Sequence, residues 1–170
     1  MQVTIPTLHT TRLTLVPPQA GHLDVYADLY GNPEVMRHIA EPIDRAAAWK
    51  ILAAHAGHWV LYGFGGWCVE EKQSGTIIGI VGLRQPAGSS IVEIGWIISP
   101  KARGRGYATE AAIAALSYAT ETVGAPEVAA HIGRGNEGSV SVARKLGMKL
   151  STESKDAKTL VFLHTSSQVQ

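Results

Sequence analysis

The stretch Ser99–Ala112, SPKARGRGYATEAA, follows an apolar run from Ile91 to Ile98 and opens an Ala-rich helical pattern. A strand, a short basic glycine loop and a helix N-terminus together make a site for a phosphate. The unpaired N–H groups of a helix's first turn and the helix dipole both favour an anion there. Gly104 and Gly106 let the backbone come close to a ligand without an intervening Cβ. Arg103 and Arg105 add positive charge beside them. The pattern points to a ligand that carries a diphosphate.

The rest of the composition narrows the class. With 170 residues, 45% hydrophobic and 17% charged, the chain is long and apolar enough for one well-filled globular domain, residues 1–170. A net charge of +1 gives no global attraction to nucleic acid or to a membrane surface. Cys68 is the only cysteine, which excludes a disulfide framework. There is no apolar run near the ~20 residues of a membrane span. The start, MQVTIPTLHTTR, lacks the basic and apolar regions of a secretion signal, so a cytoplasmic protein is expected.

The order of elements is legible from periodicity. Thr10–Val16 alternates like a half-buried strand, and Pro17–Pro18 end it. Helices are expected over Gly21–Tyr30, Glu34–Ile39 and Ala46–Tyr62. Trp67–Glu70 and Ile77–Leu83 read as a hairpin, and Ile91–Ile98 as the strand before the glycine loop. An apolar stripe Ala108, Ala112, Leu116, Ala119, Val123 predicts a helix of about four turns, stopped by Gly124. Glu127–Ile132 reads as a strand, and Asn136 as the cap of a helix ending at Gly147. Leu150–Ser154 and Thr159–His164 close the chain as a hairpin, leaving 165–170 as a frayed tail. The sum is an α/β (α+β) fold, a mixed and largely antiparallel twisted sheet flanked by helices.

Four segments in this order resemble one family. They are TTRLTLVP, NPEVMRHI, EIGWIISPKARGRGYATEA and NEGSVSVARKLGMK. From about residue 10 to 164 the chain is similar to the GNAT N-acetyltransferases, and within them to the branch typified by the RimJ and RimL ribosomal-protein acetyltransferases. The resemblance implies a domain that uses acetyl-CoA as co-substrate and needs no metal. It implies that the backbone of Arg103, Gly104, Arg105, Gly106, Tyr107 and Ala108 wraps the pyrophosphate. It implies that the Ile97–Ile98 edge pairs with the pantetheine amides, with the Ile98 N–H on the thioester carbonyl. Asn136 would hydrogen-bond the pantetheine arm, and Arg144 or Lys145 would meet the adenosine 3′-phosphate. Two positions depart from the family pattern. Lys101 stands where the loop often begins with Gln or Arg, and Ala143 stands where many members carry a Tyr that protonates the leaving thiolate.

Acetyl transfer to an amine needs a neutral amine, a polarised carbonyl and close approach. Glu93 is the base candidate, an isolated carboxylate in an apolar strand with Gly95 and Ile97 on its face; the competing reading pairs it with Arg84. Ser139 is the acid candidate, with simple helix capping as its competitor. His131 reads as a satisfied histidine. His55 and His58 sit one turn apart without further metal ligands. Trp49, Trp59 and Trp67 are weighed as acceptor-pocket walls against core. Glu41 and Asp44 read as a solvated acidic turn, Glu70 and Glu71 as a surface strand end, and Cys68 as a small buried hydrophobe. The acceptor is a small-molecule amine or a protein N-terminus, and the protein a monomer or homodimer. The rival from another class is a catalytically silent acyl-CoA-binding module or sensor. A nucleoside-triphosphate enzyme is disfavoured, because the loop lacks the Gly-Lys-Ser/Thr end that holds phosphate and Mg²⁺.

Overall fold

The computed structural model describes residues 3–151 and 156–166. Among these residues eight strands form one sheet: β1 (Leu8–His9), β2 (Leu13–Val16), β3 (Gly66–Glu71), β4 (Thr76–Arg84), β5 (Val92–Ile98), β6 (Glu127–Gly133), β7 (Lys149–Leu150) and β8 (Thr159–Thr165). Their spatial order is β1-β2-β3-β4-β5-β6-β8-β7. Every neighbour pair is antiparallel except β5 and β6. The mixed, mostly antiparallel sheet is the one expected from the pattern. Strand β1 was not legible, because two residues carry no period. The expected strand Leu150–Ser154 begins one residue earlier, and positions 152–155 lie outside the described residues, as do 167–170 of the tail.

Helices cover both faces. One face carries α1 (Leu23–Tyr30), α2 (Pro33–Met36) and α3 (Arg45–Tyr62); the other carries α4 (Tyr107–Ser117) and α5 (Glu137–Lys145). Alternation along the strands divides the side chains between them. Leu13, Leu15, Val69, Val81, Leu83, Ile94 and Ile98 point to the α4–α5 side and form the larger core with Ala111, Ala112, Ala115 and Val140. Cys68 and Ile80 point the other way, under Tyr26, Leu29 and Leu52. The run of alanines in α4 is explained by this packing, since Ala111, Ala112 and Ala115 are fully buried. Small side chains let the helix lie close to the sheet.

Several ends follow local rules. Asp44 caps α3 by accepting the Ala47 N–H at 2.8 Å, so the acidic turn before that helix is structural. α2 is a single turn and stops at Met36, short of the expected Ile39. α4 widens into a π turn over Tyr118–Thr122 before Gly124, which explains a stripe longer than the regular helix. At the end of α5, Met148 N–H donates to the Ala143 carbonyl and Gly147 N–H to that of Arg144. That is a Schellman closure, with Gly147 at φ +74.

Candidate functional site

Strands β5 and β6 pair only at Val92–Val128 and Glu93–Ala129. Beyond Glu93 they splay, and the sheet opens between them. The direction of the β5 backbone in this opening follows from its pairing with β4. Ser99 N–H donates to the Ile78 carbonyl, and Ile98 lies opposite Gly79. In an antiparallel ladder the residue between two bonded positions turns its N–H and C=O away. The Ile98 N–H therefore points into the splay, and the Ile97 main chain points back to β4. The expectation for Ile97 was a backbone contact; the structure leaves it a side chain on the opposite face.

Two connected cavities flank the opening. The first, about 810 Å³, runs from the glycine loop to the start of α5. Arg103, Gly104, Gly106, Tyr107, Ala108, Ile97, Ile98, Asn136 and Ser139 line it. Gly104 and Gly106 adopt φ +75 and +80, so the loop needs glycine at both. A Cβ on Gly104 would project into open space, which leaves the backbone bare toward the cavity. The first-turn N–H groups of α4 stand at the same place. Strand edge, bare loop and helix N-terminus together fit an extended ligand that carries a diphosphate.

The basic residues of the loop are partly engaged elsewhere. Arg103 Nε donates to the Ile98 carbonyl at 3.1 Å, and its Nη1 lies 3.2 Å from Glu34, so it ties the loop to β5 and α2. Arg105 does not line the cavity. It pairs with Glu71 at 3.1 Å and lies over the Tyr107 ring, as Arg12 also does. The Tyr107 side chain is buried and its hydroxyl donates to the Glu71 carboxylate. Arg144 is also outside the cavity. Lys145, one residue on and so about 100° around the helix, lines it.

Glu71 corrects a reading made from sequence. It is a buried carboxylate, not a surface strand end. The hydrogen bond from Tyr107, one from Ser74 and the charge of Arg105 hold it below the ordinary carboxylate range. Glu110, in the first turn of α4, accepts from Thr10 Oγ1, the Arg12 N–H and Arg12 Nε. Burial works to raise its pKa, but these bonds and the Arg12 charge prevail and lower it. Both carboxylates brace the loop and helix from behind. A carboxyl with a depressed folded-state pKa contributes stability that is complete above its unfolded value, about 4.3, and is lost as pH falls through the folded value. Thermal melts between pH 7 and 3 should therefore show a steep loss below about pH 4.5. Glu110→Gln should flatten that loss; an unchanged pH profile in the variant would exclude this brace as the cause.

The second cavity, about 620 Å³, lies on the α1–α3 face. It shares Trp96, Ile97, Asn136, Ser139, His38 and Ile39 with the first. Gly133 has no room for a Cβ against the His38 carbonyl, so the loop after α2 closes down on the end of β6. Glu93 lines this second cavity. Its carboxylate receives Arg84 Nε at 2.7 Å and Nη2 at 2.5 Å, and stands 3.3 Å from His131 Nε2. The pairing with Arg84 that competed with the base role is present. It also orients Glu93, whose side chain is 15% exposed, at the cavity wall. Asn136 Oδ1 accepts the Ser139 N–H at 3.2 Å, which leaves the amide Nδ2 of Asn136 and the hydroxyl of Ser139 for the cavities.

Trp49, Trp59 and Trp67 line neither cavity. Trp59 and Trp67 are core, packed edge to face with ring centroids 4.9 Å apart, and Trp49 faces solvent. Trp96 is the tryptophan that lines both cavities. Among the described residues no group of three or more His, Cys, Asp or Glu side chains gathers to hold a metal. No helix among them is long and apolar enough to cross a membrane.

Comparison with known proteins agrees with this geometry. Residues 12–149 match the family model described as an acetyltransferase (GNAT) domain. An uncharacterized protein, YkkB of Bacillus subtilis, is 31% identical over 125 residues, 72% of this chain and 73% of that one. The FsC-acetyl coenzyme A-N(2)-transacetylase of Aspergillus fumigatus is 34% identical over 139 residues, 72% of this chain and 56% of that one. A crystal structure of an acetyltransferase from Agrobacterium tumefaciens superposes with a TM-score of 0.88 at 28% identity, covering 98% of both chains.

Proposed function

Because this chain belongs to the GNAT acetyltransferase family, we propose that it transfers the acetyl group of acetyl-CoA to the nitrogen of a primary amine, by direct attack with both substrates bound. One observation carries the reading: the Ile98 N–H is turned into the β5–β6 splay at the point where the two cavities meet. Acetyl-CoA supplies the activated acetyl group, and the first cavity has the shape and donors to hold it.

Each residue then has a stated task. The backbone of Arg103–Ala108 and the α4 N-terminus hold the diphosphate, with Lys145 in place of Arg144 beside the adenosine end. Asn136 Nδ2 holds the pantetheine arm. The Ile98 N–H donates to the carbonyl oxygen under attack, where negative charge develops. Glu93 takes the proton of the incoming ammonium; after attack the nitrogen sheds a second proton, which replaces the one that Ser139 Oγ gives to the departing sulfur, so CoA leaves as the thiol. An amine of pKa about 10.4 is almost wholly protonated at pH 7, so a fixed carboxylate at the acceptor wall is what the chemistry requires. The likeness to the RimJ and RimL branch, which rests on the four sequence segments, admits protein N-termini beside small amines as acceptors.

The first test is a thermal melt with and without acetyl-CoA. Ligand at about 100 times its Kd adds roughly 2.7 kcal/mol, which for a domain of this size moves Tm up by about 5–10 °C. Dephospho-CoA should give a smaller shift if Lys145 meets the 3′-phosphate. No shift at millimolar acetyl-CoA would remove the co-substrate and the activity with it.

A further inference from the structure

The floor of the acceptor cavity is a row of glycines. Gly66 lies opposite Gly82, and Gly82 opposite Gly95, so three neighbouring strands present no side chain at one level of the sheet. On one side of this row stands the apolar row Cys68–Ile80–Ile97, covered by α1 and α3; on the other stands the charged pair Arg84–Glu93. The result is a bare trough running across the strands from the reacting edge of β5 to β3. Two strand spacings make it about 10 Å long. A Cβ on Gly66 would meet the His55 ring at 3.3 Å, so His55 closes the far end.

One ring nitrogen of His55 is already engaged: Nδ1 lies 2.8 Å from the Tyr26 hydroxyl. His55 therefore keeps Nε2 for the cavity that it lines. Burial, helped by His58 and Arg84, lowers its pKa to about 4, so it stays neutral at working pH.

The charge balance of the walls excludes one kind of occupant. Among the described lining residues Glu93 is the only carboxylate, and Arg84 and His131 already engage it. The other ionisable groups among them are Tyr30 and the basic His38, His55, His58 and Arg84. A second ammonium on the acceptor would find no further carboxylate among these residues.

Resting on the acetyl-transfer reading above, we propose that the acceptor is a monoamine with a slender or flat body, ending at the far end of the trough in a neutral hydroxyl or similar hydrogen-bonding group that binds His55 Nε2. His55 is in this view a specificity residue; Gly82 and Gly66 lack a Cβ where the Gly66 Cα and the His55 ring come close, and Gly95 opens onto the space for the body of the substrate.

The test uses tyramine and 2-phenylethylamine, which differ by one hydroxyl, with spermidine as a third acceptor and CoA release as the readout. A site built to bond a hydroxyl discriminates strongly against the analogue without it. The wild type should prefer tyramine by tenfold or more in kcat/KM and should use spermidine least. His55→Phe should reduce the preference to below twofold while its acetyl-CoA thermal shift is kept. Gly95→Val, whose side chain enters open space over the trough, should raise KM for both aromatic amines at least tenfold and also keep that shift. Equal use of the two aromatic amines, a preference that survives His55→Phe, or spermidine as the best acceptor would overturn the proposal. So would turnover of neither aromatic amine by protein that binds acetyl-CoA. Absence of acetyl-CoA binding would instead overturn the acetyl-transfer reading beneath it.

Discussion

Gly104→Val should abolish the thermal shift given by acetyl-CoA and leave the protein folded. Gly104 sits at φ +75, a conformation that a β-branched residue adopts only at a cost of about 1–2 kcal/mol. No protein atom lies within 4 Å of where the Cβ would be, so the fold meets no clash. The isopropyl group would occupy the space in front of the loop N–H groups, where the diphosphate is held. Gly88→Val separates the two effects. Gly88 has φ +78 and equally open surroundings, but lies in the turn between β4 and β5, away from the cleft. Both variants should melt lower than the wild type by similar amounts, and only Gly88→Val should be stabilised by acetyl-CoA. A normal shift in Gly104→Val would move the diphosphate site off this loop.

The contrast between what the sequence showed and what it hid follows the range of the interactions. The glycine loop, the Asn136 cap and the Schellman end at Gly147 were legible because each is decided within a few residues by backbone conformation and capping. Helix α4 was legible from its alanine stripe. The role of Arg105 was not, because it depends on Glu71, 34 positions earlier and on another strand. Two basic residues flank Gly104 with the same local appearance, and only tertiary pairing turns Arg103 toward the cleft and Arg105 behind it. Arg144 and Lys145 were likewise equivalent until the phase of α5 was fixed.

The trough shows the limit most clearly. Gly66, Gly82 and Gly95 fall in three separate strands, and each alone reads as a weak point in a β pattern. They become a surface only through the register Gly66–Gly82–Gly95, which no local rule supplies. The splay is of the same kind, since β5 and β6 are both regular strands and only their pairing, which ends at Glu93–Ala129, shows that they part. Aromatic residues misled for the complementary reason. Trp59 and Trp67 lie in segments that frame the site, but their size is used to fill the core, with Trp59 Nε1 bonded to the Gly66 carbonyl at 2.9 Å.

The chemistry itself turns on Glu93→Gln. Glutamine keeps the shape of the side chain and one oxygen to accept from Arg84, but cannot take a proton from an ammonium. The Arg84 side chain is 69% exposed, so the weakened pair should cost the fold no more than about 1 kcal/mol. The acetyl-CoA shift should be unchanged, because Glu93 does not line the first cavity. Turnover should fall by about 10²–10⁴ at neutral pH, the usual contribution of a positioned base. The deficit should narrow as pH approaches the pKa of the acceptor amine, where the nucleophile is already neutral and needs no proton removed before it attacks. That recovery is what separates a base from a residue that merely shapes the wall: a variant with a damaged wall would stay slow at every pH. Full activity of Glu93→Gln at neutral pH would remove it from the mechanism. Binding of acetyl-CoA without turnover of any amine by the wild type itself would favour a silent acyl-CoA-binding module on the same fold.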